Sequence, residues 1–168
     1  MPYPGHPRGC PNWNKRPTCP GRAPQIQEVL DLKYPVFLVY SEFNLAAHVE
    51  SLRERHPTWT ERQLRCCLYW QGHARSMLRR KVTLALRAYP GTIALYCPEA
   101  CGVDVTRLMA DIGVPLEWPP RVVVRQVALV GSPKSDLVAA HPEFAAAVLA
   151  GSRQPFAREA ISRAGLCS

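Results

Sequence analysis

Three short apolar runs alternate with longer stretches of helical periodicity along this chain, and the alternation limits the folds that it can adopt. The runs cover residues 34–40, 92–96 and 121–130, and they are rich in the β-branched and aromatic residues typical of buried strands. Helical segments between strands favour a layered α/β fold. We therefore expect an α/β protein with a small mixed sheet of about three or four strands.

Capping residues indicate where several of the helices begin and end. Asn44 is placed to cap a helix that runs to about residue 55. Asp104 is placed to cap a helix over 105–112 that Gly113 would end. Two further helices are expected over 141–150 and 156–164.

The longest predicted helix lies at the centre of the chain. Thr58 or Thr60 is placed to cap it, and Gln63 follows Thr60 at the spacing of a capping box. The helix is predicted to run to about residue 88, with Gly72 as its weak point. Cys66 and Cys67 would then both lie on the helix, about 100° apart around its axis. Cys67 would face the core with the apolar stripe.

The first 24 residues differ from the rest of the sequence. They contain seven prolines and three glycines, which predicts an irregular Cys/Pro-rich arm, with residues 25–168 forming a single α/β domain. No apolar run approaches the roughly 18 residues that would span a membrane, and the first residues lack the apolar core of a signal peptide. We expect a cytoplasmic protein that is not bound to a membrane.

Clustered cysteines carry the strongest indication of chemistry. Six of the seven lie in three groups: Cys10 and Cys19, Cys66 and Cys67, Cys97 and Cys101. In a reducing compartment such groups indicate metal binding more often than disulfides. The main hypothesis is a metal centre held by Cys10, Cys19, Cys97 and one of Cys66 or Cys67, with Cys101 as a further candidate. The sequence leaves open which cysteine of the last two groups is a ligand.

The ligand spacing bears on the kind of metal. The paired C-x2-C knuckles typical of zinc sites are missing, whereas iron–sulfur clusters accept cysteines scattered through a fold. We therefore expect an iron–sulfur cluster, with zinc as the alternative. His73 is a candidate to complete the site, while His48, His56 and His141 are expected to be capping or surface residues.

The positive charge is concentrated in one segment. The chain has a net charge of +8, and residues 51–90 contain nine basic residues against two acidic ones. Such a surface could favour an anionic cluster, a small anionic substrate or nucleic acid. A basic module for nucleic acid or an acidic protein, with zinc or free thiols, is the alternative function. A solvated helix face is the commoner explanation, and no P-loop, Rossmann or nucleophile-elbow motif identifies a reaction.

The cysteine motifs resemble those of a prokaryotic family of predicted metal-binding proteins of unknown function. The similarity rests on Cys10-Pro-Asn-Trp followed by Cys19-Pro, on Cys66-Cys67, and on Cys97-Pro-Glu-Ala, and it covers roughly residues 6–131. Asn14 stands where the family usually has glycine, Gly21 replaces a second proline, and an upstream cysteine is absent. The resemblance implies metal binding and implies no reaction.

Overall fold

The structure, a computed structural model, describes residues 13–153. The α-helices are α1 (Ile26–Val29), α2 (Leu45–Arg55), α3 (Glu61–Leu64), α4 (Gln71–Ala88), α5 (Val105–Asp111), α6 (Leu137–Ala140) and α7 (Pro142–Arg153). The strands are β1 (Phe37–Asn44), β2 (Ile93–Leu95) and β3 (Val123–Gly131), and two short 3₁₀ turns cover Cys67–Tyr69 and Pro98–Cys101. The small α/β fold expected from the sequence is confirmed.

The three strands form one sheet in the order β1-β3-β2. β1 pairs antiparallel with β3 from Phe37 opposite Val130 to Asn44 opposite Val123, and β2 pairs antiparallel with β3 from Ile93 opposite Gly131. The expected mixture of parallel and antiparallel pairs is therefore not found among the described strands. β1 and β2 do run in the same direction, as strands joined by helices usually do, but β3 inserts between them.

Helices cover both faces of the sheet. On one face, Leu78 and Val82 of α4 pack on Ala94, Ala128 and Val130. The opposite face is covered by α1, α6, α7 and α5. The first three helices form a core with Ile93, Leu95 and Leu129, and this core includes Cys101. Val105 and Met109 of α5 pack on Val127. Because neighbouring residues of β3 point to opposite faces, the sheet separates these two cores.

The long central helix expected from the sequence is present as α4, but it does not extend back to residue 60, because the chain leaves the helical path between Leu64 and Gln71. In a continuous helix the carbonyl of Arg65 would accept the amide of Tyr69. Here the Tyr69 amide bonds the carbonyl of Cys66 at 3.1 Å, and the indole of Trp70 donates to the Arg65 carbonyl at 3.2 Å. The predicted weak point at Gly72 lies inside the intact helix α4.

Several predicted helix starts are confirmed by hydrogen bonds. The Asn44 side chain accepts from the Ala47 amide at 2.9 Å, and the Asp104 side chain accepts from the Arg107 amide at 2.9 Å. The capping box of Thr60 with Gln63 is also present. The predicted helix over 156–164 lies outside the described residues. Among residues 13–153, none of the helices combines the length and the apolar composition that a membrane span requires.

Candidate metal centre

A cavity of about 170 Å³ opens beside β2, at an edge of the sheet. Its lining combines the last residues of β2, the turn that follows, α7 and the arm: Thr18, Ala94, Leu95, Tyr96, Cys97, Cys101, Phe144, Ala147, Val148 and Gly151. α7 is fastened to β2 through Ser152, whose hydroxyl accepts from the Ala94 amide at 3.2 Å and donates to the Val148 carbonyl at 2.9 Å. The cavity thus brings two of the predicted thiols to one place.

The 3₁₀ turn after β2 sets the positions of Cys97 and Cys101. Pro98 occupies its first residue, and the amide of Ala100 bonds the carbonyl of Cys97 at 3.0 Å. Gly102 ends the turn with a φ of +81°, a backbone conformation that side-chain-bearing residues rarely adopt. Cys97 is exposed as a result, whereas Cys101 is turned into the core and is 2% exposed.

Burial and nearby negative charge both act on the Cys101 thiol. Desolvation raises its pKa to about 11, and the neighbouring Cys97 and Glu99 act in the same direction. Burial of the carboxyl group also raises the pKa of Glu99 above its ordinary value. Cys101 is therefore a neutral thiol at physiological pH unless a cation compensates the charge of its thiolate.

The described part of the arm folds against this cavity. Its backbone makes tight turns, in which the carbonyl of Cys19 accepts from the amides of Arg22 at 3.1 Å and Ala23 at 3.0 Å. Arg22 forms an ion pair of 2.6 Å with Glu143 of α7. Thr18 lines the cavity together with Cys97 and Cys101. Cys19, the next residue along the chain, is half-buried.

Cys66 and Cys67 lie in another part of the fold. Cys66 follows α3, and Cys67 begins the short 3₁₀ turn before α4. The flanking residues Leu64 and Trp70 pack with Leu45, Ala74 and Val124 on the α4 face of the sheet. Neither cysteine lines the cavity. Cys67, which the sequence pattern places on a core face, is exposed because the helix is interrupted there.

His73 and His48 meet beside an aromatic ring rather than at the cavity. Their rings lie 5.6 Å and 5.4 Å from the ring of Phe43, measured between centroids. The Nε2 atom of His48 is buried and has no hydrogen-bond partner among the described residues. Burial lowers the pKa of His48, with smaller effects in the same direction from Arg55 and His73.

The two remaining histidines of the described residues lie at helix ends. His56 ends α2 and stacks on Trp59 with 4.0 Å between ring centroids. His141 ends α6, and its Nε2 lies 3.8 Å from Glu28.

Within residues 13–153, no three histidine, cysteine or acidic side chains form a group that could hold a metal ion by themselves. Cys10, the fourth member of the predicted ligand set, lies outside the described residues. The structure therefore brings Cys97 and Cys101 to one cavity, places Thr18, the chain neighbour of Cys19, in its lining, and leaves Cys66, Cys67 and His73 elsewhere.

Three contributors to the cavity have no clear signal in the sequence. Thr18 is one of several small polar residues in the arm, and Phe144 and Val148 show only the periodicity of an apolar helix face. Their role follows from the docking of α7 on β2, a tertiary contact between segments about 50 residues apart.

The exposure of the thiols leads to a labelling prediction. In metal-free protein at about pH 8, iodoacetamide should modify Cys67 and Cys97 at least roughly ten times faster than Cys101, because a thiol with a pKa near 11 holds only about a thousandth of its population as thiolate. Peptide mapping by mass spectrometry measures the three rates. Equal rates in the folded protein would contradict the buried position of Cys101, and equal rates in guanidinium chloride are the expected control.

Comparison with known proteins gives no match: no family model, no curated protein and no solved structure is significantly similar to the chain. The resemblance of the cysteine motifs to a metal-binding family thus stays a prediction.

Proposed function

We propose that this protein holds a thiolate-ligated metal centre at the cavity beside β2. The ligands in this proposal are Cys97 and Cys101 from the turn after β2, with Cys19 and Cys10 from the arm. The observation that carries the proposal is the shared lining of the cavity, which contains both turn cysteines and the arm residue Thr18, next to Cys19. The arm would then be fixed at both ends, by the metal and by the ion pair of Arg22 with Glu143.

This ligand set differs in one respect from the set expected from the sequence. Cys101 replaces the thiolate assigned to Cys66 or Cys67, because Cys101 lines the cavity and the other two do not. A buried thiol with a raised pKa binds a cation by releasing its proton, so metal would compensate the cost that Cys97 and Glu99 impose on the Cys101 thiolate.

The donor chemistry fits a soft metal. Thiolates favour zinc, copper(I) and iron–sulfur clusters over hard cations. Ligands drawn from the arm and from the turn after β2, without paired knuckles, favour an iron–sulfur cluster, and zinc is the alternative. A bound cluster would supply electron transfer or a Lewis-acidic iron, whereas zinc in this site would stabilise the arm. The proposed function does not include a small anionic substrate, because the residues that line the cavity are largely apolar.

Anaerobic purification followed by metal analysis tests the proposal. We expect close to one centre per chain, and a broad absorption band near roughly 400 nm with matched iron and acid-labile sulfide would identify an iron–sulfur cluster. A colourless protein with one zinc per chain would assign the same thiols to zinc. A folded protein that contains neither metal, and that binds neither after anaerobic reconstitution, would overturn the proposal.

A further inference from the structure

The exposed face of α4 is the most basic surface among the described elements. This helix contains Arg75, Arg79, Arg80, Lys81 and Arg87 and no acidic residue, and all five basic residues are exposed. Arg75, Arg79 and Arg87 lie within about 120° of the circumference of the helix and extend over about 18 Å along its axis.

Two of these cations, Arg75 and Arg87, are not neutralised by an acid among the described residues. The helix packs on the three strands and, through Ala74, on α2 and α3. Of the strands, β2 and β3 contain no acid. The one acid of β1, Glu42, is paired with Arg125 at 2.8 Å. Arg75 and Arg87 form no ion pair with any described residue. The ammonium of Lys81 lies 5.4 Å from the ring centre of Tyr40. A polyanion would therefore complement this surface.

An aromatic stack stands at the start of the same helix. Tyr69, two residues before α4, stacks on Trp59 with 5.1 Å between ring centroids, and Trp59 stacks on His56 at 4.0 Å. Tyr69 is still 43% exposed, so part of its ring is open to a further planar group. Basic surfaces that neighbour exposed aromatic rings are typical of proteins that bind single-stranded nucleic acid, because phosphates contact the cations and bases stack on the rings.

We propose that the exposed face of α4, together with Tyr69, binds single-stranded nucleic acid. Arg75 and Arg87 contact phosphates, and the Tyr69 ring stacks on a base. The inference is independent of the metal centre, because none of these residues lines the cavity. The Cys97→Ser variant should therefore bind an oligonucleotide as well as the unmodified protein does.

Fluorescence anisotropy with labelled DNA and RNA strands of about 20 nucleotides tests the proposal on the full chain. Binding should weaken with salt between about 50 and 300 mM, with a slope of log affinity against log salt near −0.7 per phosphate contacted. The double variant Arg75→Gln/Arg87→Gln should make that slope shallower by about 1.4 and weaken binding roughly tenfold or more near 100 mM salt. The two strands distinguish RNA from DNA as the ligand.

A matched double variant controls for net charge. Lys33→Gln/Lys134→Gln removes the same charge from two exposed residues beside α1 and should leave the slope unchanged. Equal losses in the two double variants would overturn the assignment to α4.

Replacement of Tyr69 separates stacking from charge. Tyr69→Ala should weaken binding about fivefold or more at an unchanged salt slope, and Tyr69→Phe should retain it. Duplex of the same sequence bound as tightly as the single strand would overturn the single-strand assignment. Binding to anionic vesicles of phosphatidylserine and phosphatidylcholine without binding to either strand would overturn the proposal and indicate a membrane surface instead.

Discussion

The Cys97→Ser substitution should remove most of the bound metal, whereas Cys66→Ser should leave the metal content unchanged. Cys97 lines the cavity beside β2 and Cys66 does not. Loss of a direct thiolate ligand should weaken binding by at least the 10- to 100-fold typical of disturbed metal sites. The metal content per chain, measured after desalting, is expected to fall from about one equivalent to roughly a tenth or less.

Further variants sharpen this comparison. Cys19→Ser should also lose metal, and Cys67→Ser, at an exposed position, should retain it. Circular dichroism should show that every variant remains folded, since Cys97 and Cys67 are exposed and contribute little to the core. Full metal retention in Cys97→Ser would place the centre away from the cavity. Loss of metal in Cys66→Ser would return Cys66 to the ligand set.

Local signals predicted the helix starts well. Asn44, Thr60 and Asp104 were identified by residue type and spacing alone, and each makes its capping interaction in the structure. These signals work because a cap satisfies backbone amides within its own first turn, so no distant part of the chain has to be known.

The interruption before α4 depends on contacts that the local pattern does not contain. Residues 65–70 continue the helical spacing of the sequence. Trp70, however, packs in a core with Leu45, Leu64 and Val124, and its indole donates a hydrogen bond to the Arg65 carbonyl. Cysteine, tyrosine and tryptophan are weak helix formers, so the segment offers little resistance to this tertiary packing. The predicted orientation of Cys67 was wrong for the same reason.

The sequence predicted that Cys97 follows a strand, but it did not predict that Cys66 lies far from it. Cys97 follows a strand, and functional groups of α/β proteins often lie at strand ends, so its place was readable from the sequence. The separation of Cys66 from Cys97 was not, because it depends on the strand order and on which face of the sheet each helix covers. Cys101 showed no sequence signal that distinguishes a buried thiol lining a cavity from a spare one.

The Trp70→Ala substitution should lower the free energy of unfolding by about 3–5 kcal/mol, which is the usual cost of removing a large buried aromatic side chain. Trp70 is 9% exposed and packs with Leu45, Leu64 and Val124, so alanine would leave a cavity between α2, α3 and β3. Urea unfolding followed by circular dichroism measures the change. Leu68→Ala, two residues earlier and 71% exposed in the wild-type chain, is the matched control and should change stability by no more than about 0.5 kcal/mol.

The Trp70→Phe variant divides the effect of Trp70→Ala into packing and hydrogen bonding. Phenylalanine keeps most of the ring contacts but cannot donate to the Arg65 carbonyl, so a loss of about 1–2 kcal/mol is expected. If Trp70→Ala and Leu68→Ala lower the free energy of unfolding by the same amount, Trp70 does not stabilise the segment between α3 and α4. A Trp70→Phe variant as unstable as Trp70→Ala would assign the interruption to the indole hydrogen bond rather than to burial.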